Sequence, residues 1–334
     1  MVAWTRAMGL KKHNWIVIEA EGTPACQVAA RTLRHRLDAV WAEVTGCMAG
    51  GMGSRPEGPR AAKPGSSGRR TNAERVHRLR VATRRALAAL DSFADVVPRR
   101  RQAWFRKRLR RLRRAAGNAR DLDVLTARLA NVTARSRLVA MLSRQREVSR
   151  QPIRDVYEEL LAADWTGRVE RLIARVESIE PTSRRAAAGR TSFGRYARRR
   201  FRPLMAEFFS RADQRLRTAE EMHDLRIEGK KLRYALEIFS GVFPPGVREG
   251  CEQALERLQE TLGKFTDHAS AADRFRRWSR DERMAADRAT LVELEREESA
   301  RADTARKVFA GWWNASRRRA LRRTFERSLS RESA

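Results

Sequence analysis

The sequence predicts an all-α protein made of duplicated helical bundles, and three observations carry that expectation. Ala, Leu, Arg and Glu dominate the chain, Tyr and Thr are few, and no stretch sustains a period of two, so long amphipathic helices follow. Prolines and glycines punctuate the apolar repeats at the positions where helices end or begin. The stretch VHRLRVATRR at residues 76–85 returns as MHDLRIEGKKLRY at residues 222–234.

Apolar spacing places helices over 25–47, 72–96, 99–116, 120–142, 144–163 and 165–179, then over 188–217, 219–240, 247–263, 266–282 and, with breaks, 284–328. Pro98, Pro152, Pro181 and Pro244-Pro245 mark their ends, because proline lacks the N–H donor and clashes with the preceding turn. Gly117 and Gly263 read as C-terminal caps, where glycine takes the left-handed conformation at little cost. Asp121 and Asp267 then open the following helices or orient a nearby Arg. WIVIEAE, residues 15–21, is the one strand candidate. Residues 49–70 are dense in Gly, Pro and Ser and read as a flexible insertion. The chain thus divides into an N-terminal extension (1–24), a first helical repeat (25–180) carrying the insertion, and a second (181–334) ending in a basic helix.

The duplication extends beyond its opening motif. His223 lies 146 residues after His77 (223 − 77 = 146), and the same offset matches Leu79 with Leu225, Arg80 with Arg226, Leu90 with Leu236 and Phe93 with Phe239. The register survives a turn: Pro98 matches Pro244, Leu109 matches Leu255, Leu112 matches Leu258, Gly117 matches Gly263 and Asp121 matches Asp267. An ungapped match of this length means two copies of one helical unit.

Charge points to the partner. The 334 residues hold 72 Lys plus Arg against 41 Asp plus Glu, a formal net charge of +31, while 42% of the chain is hydrophobic, enough for a packed core. A globular protein so basic is expected to meet a polyanion. Cys26, Cys47 and Cys251 are scattered, with no CxxC, so structural zinc is not expected and the thiols read as idle ones in a reducing compartment. The apolar run WIVI is far too short for a membrane span or signal core, and the expected location is the cytoplasm.

On a helical wheel His77, Arg80 and Arg84 fall together, with Leu79, Ala86, Leu90 and Phe93 opposite. His223, Arg226, Lys230 and Arg233 repeat this against Leu225, Leu232, Leu236 and Phe239, and Arg85 and Lys231 flank the two stripes. A solvated helix face usually mixes charge signs to gain i,i+4 pairs. Like charges stacked on successive turns repel unless an anion relieves them, so the stripes read as phosphate cradles. The next helix adds Arg106, Lys107, Arg108, Arg110, Arg111, Arg113 and Arg114 around Phe105, Leu109 and Leu112.

These residues resemble a known family, the CHAD domain, or conserved histidine α-helical domain. VHRLRVATRR with GNARDLDVL is similar to its first half, and MHDLRIEGKKLRYALEIF with LGKFTD to its second, over roughly residues 25–320. The resemblance implies two four-helix bundles related by pseudo-twofold symmetry around a basic cleft or pore that binds inorganic polyphosphate, and association with polyphosphate granules. It implies a lining of His77, Arg80, Arg84, Arg85, His223, Arg226, Lys230, Lys231 and Arg233. Lys107, Arg108, Arg111 and Arg114 of the Arg-rich helix, Arg195, Arg199, and Lys264 of LGKFTD complete the candidate set. Two departures stand out: Leu87 holds the place of Arg233, and the 49–70 insertion is not a general family feature. Some members carry a fused triphosphate-tunnel domain with an ExExK signature; here Glu19 and Glu21 are followed by Thr23 where the Lys would stand, so that catalytic domain is not expected.

Polyphosphate has dense charge and no bases, so it calls for Arg forks and mobile Lys charges without stacking platforms. The two His would be neutral donors near pH 7, or cationic where a bound polyanion raises their pKa. Neither sits in an HxH, an HExxH or a carboxylate cluster, and no Ser, Cys or carboxylate pair has an activating partner, so no metal, no cofactor and no catalysis are expected. The alternative is a nucleic-acid-binding protein using the same Arg helices. Against it, Phe93, Phe239 and Tyr234 fall at core or boundary phases, and Trp312, Trp313, Leu321, Phe325 and Leu329 repeat at packing spacing. Oligomeric state is open at this level.

Overall fold

Leu79, Ala86, Leu90 and Phe93 recur at helical spacing, and in the computed structural model all four are buried, the first three along the inner face of one helix and Phe93 just past its end. The structure describes residues 19–49, 72–129, 136–178, 184–216 and 218–330; the 49–70 insertion, Ala49 apart, lies outside the described residues, as does Pro181. The fold is all-α. The described helices are α1 (Ala25–Ala49), α2 (Asn72–Ser92), α3 (Arg99–Leu129), α4 (Ser136–Val148), α5 (Gln151–Ala162), α6 (Trp165–Glu177), α7 (Arg184–Arg190), α8 (Phe193–Ala212), α9 (Ala219–Ile238), α10 (Pro245–Ser279), α11 (Arg288–Trp312) and α12 (Ala315–Ser330). Short 3-10 turns at Ser240–Val242 and Glu282–Asp287 join some of them.

Among the described residues the chain forms two compact units. One comprises Ala29–Glu180 with Ala271–Arg296, the other Met1–Val28, Pro181–Ser270 and Glu297–Ala334. The first contains α2 and α3. Its core gathers Leu33, Leu37, Val40 and Val44 with the α2 and α3 leucines, and Trp165 stacks near Trp41 and edge-on to Phe105. Residues 271–296 belong to it because Phe275, Leu291 and Leu294 pack with Leu125, Leu129, Leu138 and Leu142. The second unit contains α8 and α9. Phe193 and Tyr196 pack on Phe239, and Phe201 and Phe209 pack on Phe325 of α12, which leaves the aromatic side chains of this unit largely inside.

Local chemistry sets several helix ends. Thr218 and Glu221 form a reciprocal capping box at the head of α9, with Glu221 N–H donating to Thr218 Oγ1 at 3.1 Å and Thr218 N–H to Glu221 Oε2 at 2.8 Å. Asp164, at φ 53°, accepts from Gly167 N–H and Arg171 and opens α6; those two bonds, Arg171 first, hold its carboxyl below the usual range. Gly241 has no room for a side chain, because a Cβ there would overlap the carbonyl oxygen of Glu19.

The structure corrects several expected boundaries. α3 runs unbroken through Gly117 and α10 through Gly263, so neither glycine is a cap and neither Asp121 nor Asp267 begins a helix. Once packing favours helix on both sides, one interior glycine costs only about 1 kcal/mol and does not stop it. The expected 188–217 helix is interrupted at Thr191-Ser192, where Pro24 and Ser192 form an isolated bridge with Ala25 N–H donating to Thr191 O and Phe193 N–H to Thr23 O. Of the strand candidate 15–21, the first four residues lie outside the described set and Glu19 to Glu21 are irregular or turn.

Candidate polyanion-binding stripes

The continuity of α3 decides the geometry around the first motif. α2 ends at Ser92 and α3 begins at Arg99, a tight hairpin that lays α3 along the basic flank of α2. Arg80 Nη1 donates to Asp121 Oδ1 at 3.2 Å, so Asp121 orients the stripe. His77 is exposed at the surface end of the stripe, with Arg120, Arg80 and Arg84 around it. Its pKa is lowered, first by partial desolvation and then by repulsion from those three guanidinium groups, which keeps the ring neutral at neutral pH. Arg84 and Arg85 are half-buried on α2. Arg120 is a residue the sequence reading missed, because a helix expected to stop at Gly117 hides its approach to His77.

The outer face of α3 carries the densest charge. Gln102, Ala103, Arg106, Lys107, Arg110, Arg111 and Arg114 line an open groove of about 480 Å³. Arg106 is paired with Asp91 at 2.5 Å and Arg111 with Glu159 at 2.5 Å. Among the described residues Lys107, Arg110 and Arg114 have no carboxylate partner. Arg110 was not among the candidates, yet the spacing 103, 106/107, 110/111, 114 is a helical stripe that could have found it. Arg108 stands apart: its guanidinium lies 4.1 Å over the Trp104 ring, which Arg168 also covers at 4.7 Å.

The second stripe lies in the other unit. Arg226 reaches Asp267 at 3.9 Å, the counterpart of the Arg80–Asp121 pair at the same 146-residue offset. His223 is exposed, Lys230 half-buried, and Lys231 is held by Glu228 at 2.6 Å. α9 approaches α10 closely at Gly229, where a Cβ would stand 2.7 Å from Gln259 Nε2 and 2.8 Å from Leu258 Cδ2. Arg233 is less a surface cation than the resemblance implies. It lies 5.0 Å over the Tyr234 ring and acts on Glu252, whose carboxyl burial pushes up to about 7, helped by Glu256 and Glu237 and opposed by Arg233 and Arg248. Of the remaining candidates, Arg195 is exposed on α8, Arg199 covers the Tyr196 ring at 5.4 Å, and Lys264 is paired with Glu260 at 2.9 Å on α10.

The candidates therefore form two sets, His77 to Arg114 in one unit and Arg195 to Lys264 in the other. Cys47 and Cys251 take no part: burial first pushes both thiols up to about 12, and they are inert. No helix among the described residues is long and apolar enough to cross a membrane.

Fold and stripes together define an all-helical, strongly basic protein with a repeated His-x-Leu-Arg helix as its signature. The family model that matches the sequence, over residues 61–276, is that of the CHAD domain, and the chain belongs to this family. The fold is similar to that of the CHAD domain from the plant Ricinus communis, at 20% identity and a TM-score of 0.63, covering 96% of this chain and 98% of that one. It is also similar to PptA from Streptomyces chartreusis, at 17% identity and a TM-score of 0.52, covering 87% of this chain and 99% of that one. None of the curated proteins matches the sequence.

Proposed function

We propose that this chain is a non-catalytic binding module for inorganic polyphosphate, in which each basic stripe grips its own run of phosphates. The observation that carries the reading is the groove on α3, where Lys107, Arg110 and Arg114 lie on successive turns without carboxylate partners. Cations stacked in this way repel one another in the free protein, and a flexible polymer with about one charge per phosphate relieves that repulsion along its whole length. Arg80 and Arg226, each steadied by an Asp, supply planar forks, and the Lys residues supply mobile charges. Duplication of the α2–α3 and α9–α10 hairpins fits the two-bundle, pseudo-twofold plan that the family resemblance implies. Association with polyphosphate granules in the cytoplasm would follow from such binding.

Nucleic acid shares the phosphates but adds bases that need a stacking platform. Trp104 already has Arg108 and Arg168 over its ring, Tyr196 and Tyr234 are buried and lie beside Arg199 and Arg233, and Phe93 and Phe239 are buried. A competition titration near physiological salt tests the choice, because diffuse attraction is damped beyond about 8 Å there. Labelled long-chain polyphosphate is challenged with single-stranded RNA, duplex DNA and heparin, for the wild type and for a variant with Lys107, Arg110 and Arg114 of the groove and Arg80, Arg84, Arg226 and Lys230 changed to Ala. Resistance to the competitors, lost in the variant, is the expected result. Equal competition by RNA or DNA, with the variant binding as before, would reverse the reading in favour of nucleic acid.

A further inference from the structure

α12 carries six arginines and a single carboxylate, Glu326, and lies beyond the residues 61–276 that match the family model. Its apolar side is committed to the fold. Leu321, Phe325 and Leu329 are buried, and Phe325 packs on Phe201 and Phe209 of α8 and on Phe243.

Three of the arginines hold that arrangement in place. Arg322 pairs with one oxygen of Asp213 at 2.5 Å and Arg318 reaches the other at 3.5 Å, which pins the head of α12 to the residue that follows α8. Arg317 donates from Nε to Trp312 O at 3.0 Å and lies 5.1 Å over the Trp312 ring. The remaining three have no such role. Arg319, Arg323 and Arg327 stand at the i, i+4 and i+8 spacing of one helix face, and all three are exposed. Among the described residues none of these three side chains has a hydrogen-bond or carboxylate partner, and Glu326 pairs with none of them.

The stripe runs about 12 Å along the helix axis. At its head Arg319 opens onto a hollow of about 270 Å³ that Ala315, Arg318, Arg322 and Asp213 also line, and the Asp213 carboxylate there is taken up by its two arginines. Like charges on successive turns weaken the helix that bears them, and the packing of α12 makes no use of these three. Planar Arg forks at each turn suit a polymer that offers a phosphate at each step. Ala320 and Thr324 lie between the arginines and no ring does, while Trp312 is covered by Arg317, so the face offers phosphate contacts without a platform for bases.

We propose that Arg319, Arg323 and Arg327 form a third polyphosphate-binding stripe, outside the repeated motif and sharing no residue with the stripes of α2–α3 and α9–α10. The claim rests on polyphosphate being the ligand of this chain.

Titration of long-chain polyphosphate over a range of salt tests it on three forms of the full chain. These are the wild type, R319Q/R323Q/R327Q, and the charge-matched control R144Q/R154Q/R280Q, whose arginines are exposed and lie off all three stripes. Gln keeps the helix propensity of Arg, so the α12 form should fold as the wild type does. Its affinity near physiological salt should fall about three- to tenfold, and its plot of log affinity against log salt should be shallower by about two, since each lost phosphate contact removes about 0.7 from the slope. The control should stay within about twofold of the wild type, as scattered surface charges contribute little once screened. Glu326→Gln, which removes the one carboxylate of the helix, should tighten binding about twofold. No loss in the α12 form, an equal loss in the control, or a loss for duplex DNA with polyphosphate affinity unchanged would each overturn the proposal. The form stripped of the α2, α3 and α9 cations in the competition test separates the two claims. If that form binds as the wild type does while the α12 form is weakened, the other stripes fail and this one stands; if only the α12 form binds as the wild type does, this one fails alone.

Discussion

The α2–α3 and α9–α10 hairpins share one frame and differ in almost everything painted on it. Both turn at the same place, Ser92 to Arg99 and Ile238 to Pro245, and both set an Arg against an Asp on the long second helix. Leu79, Leu90, Phe93, Leu109 and Leu112 are buried, and so are Leu225, Leu236, Phe239, Leu255 and Leu258 at the same offset. The outer surfaces diverge. α3 runs RRRQAWFRKRLRRLRR without a carboxylate before Asp121, whereas α10 places Glu249, Glu252, Glu256 and Glu260 over the corresponding stretch. One facing pair shows the same freedom: Asp91 pairs with Arg106 near the surface in one hairpin, and the matching residues in the other are two buried carboxylates, Glu237 and Glu252, set among Arg233 and Arg248. Packing fixes the frame because buried methylenes cannot move without loss. Charge placement is not so constrained, and duplication of a helix does not duplicate its electrostatics.

Several substitutions sharpen or break this comparison. The closest approach is at Gly229, where α2 carries Thr83 with its hydroxyl donating to Leu79 O at 2.9 Å. Gly229→Ala pushes a methyl into buried Leu258 and should destabilise by about 1–3 kcal/mol in denaturant unfolding. An unchanged midpoint would mean that the two hairpins pack alike. Glu252→Gln should stabilise by about 2 kcal/mol at pH 8. The sign follows from a folded-state pKa raised to about 7: the carboxyl costs nothing below its unfolded value of 4.5, and stability is lost as pH rises through about 7. The gain should therefore vanish at pH 4, and its persistence there would rule out a titrating carboxyl. Gly117→Ala meets nothing within 4 Å and should raise stability by about 0.5–1 kcal/mol, in contrast to Gly229→Ala.

Smaller effects separate the two stripes. Asp121→Asn releases Arg80 from a 3.2 Å pair and Asp267→Asn releases Arg226 from a looser one at 3.9 Å, both largely exposed, so each should cost under about 1 kcal/mol, the first more than the second. His77, held neutral in the free chain, should take up a proton when a polyanion binds. Polyphosphate affinity should then rise about two- to threefold from pH 8 to pH 6, and His77→Gln should flatten that rise. An identical slope in the variant would remove the titrating role of His77.

Much of this was legible in the sequence. The all-α class, the 146-residue repeat and the buried phases of Phe93, Phe239 and Tyr234 follow from periodicity alone, because burial enforces periodicity. The errors cluster at Gly117 and Gly263. A glycine flanked by helical pattern reads equally as a cap or as an interior residue, and only tertiary packing chooses between them. That choice placed Arg120 beside His77, a contact hidden while the helix was expected to stop, whereas the expectation that Asp121 orients a nearby Arg is met by Arg80. Arg233 shows the opposite limit: its place in a basic motif does not reveal that it faces the buried carboxyl of Glu252. The pairing of His268 on α10 with Glu298 on α11 was also hidden, since Glu298 belongs to no motif and meets His268 only through the fold.

The inequality of the two hairpins is tested most directly by titrating long-chain polyphosphate into three forms of the full chain near physiological salt. These are the wild type, a form with Lys107, Arg110, Arg111 and Arg114 changed to Gln, and a form with Arg226, Lys230, Lys231 and Lys264 changed to Gln. Removing the α3 set should weaken binding by about a hundredfold or more, as charge-assisted contacts worth about 1–2 kcal/mol each are lost, while removing the α9–α10 set should weaken it by about tenfold. Equal losses would mean that the carboxylates of α10 do not temper its stripe, and no loss in either form would contradict polyphosphate binding through the stripes altogether.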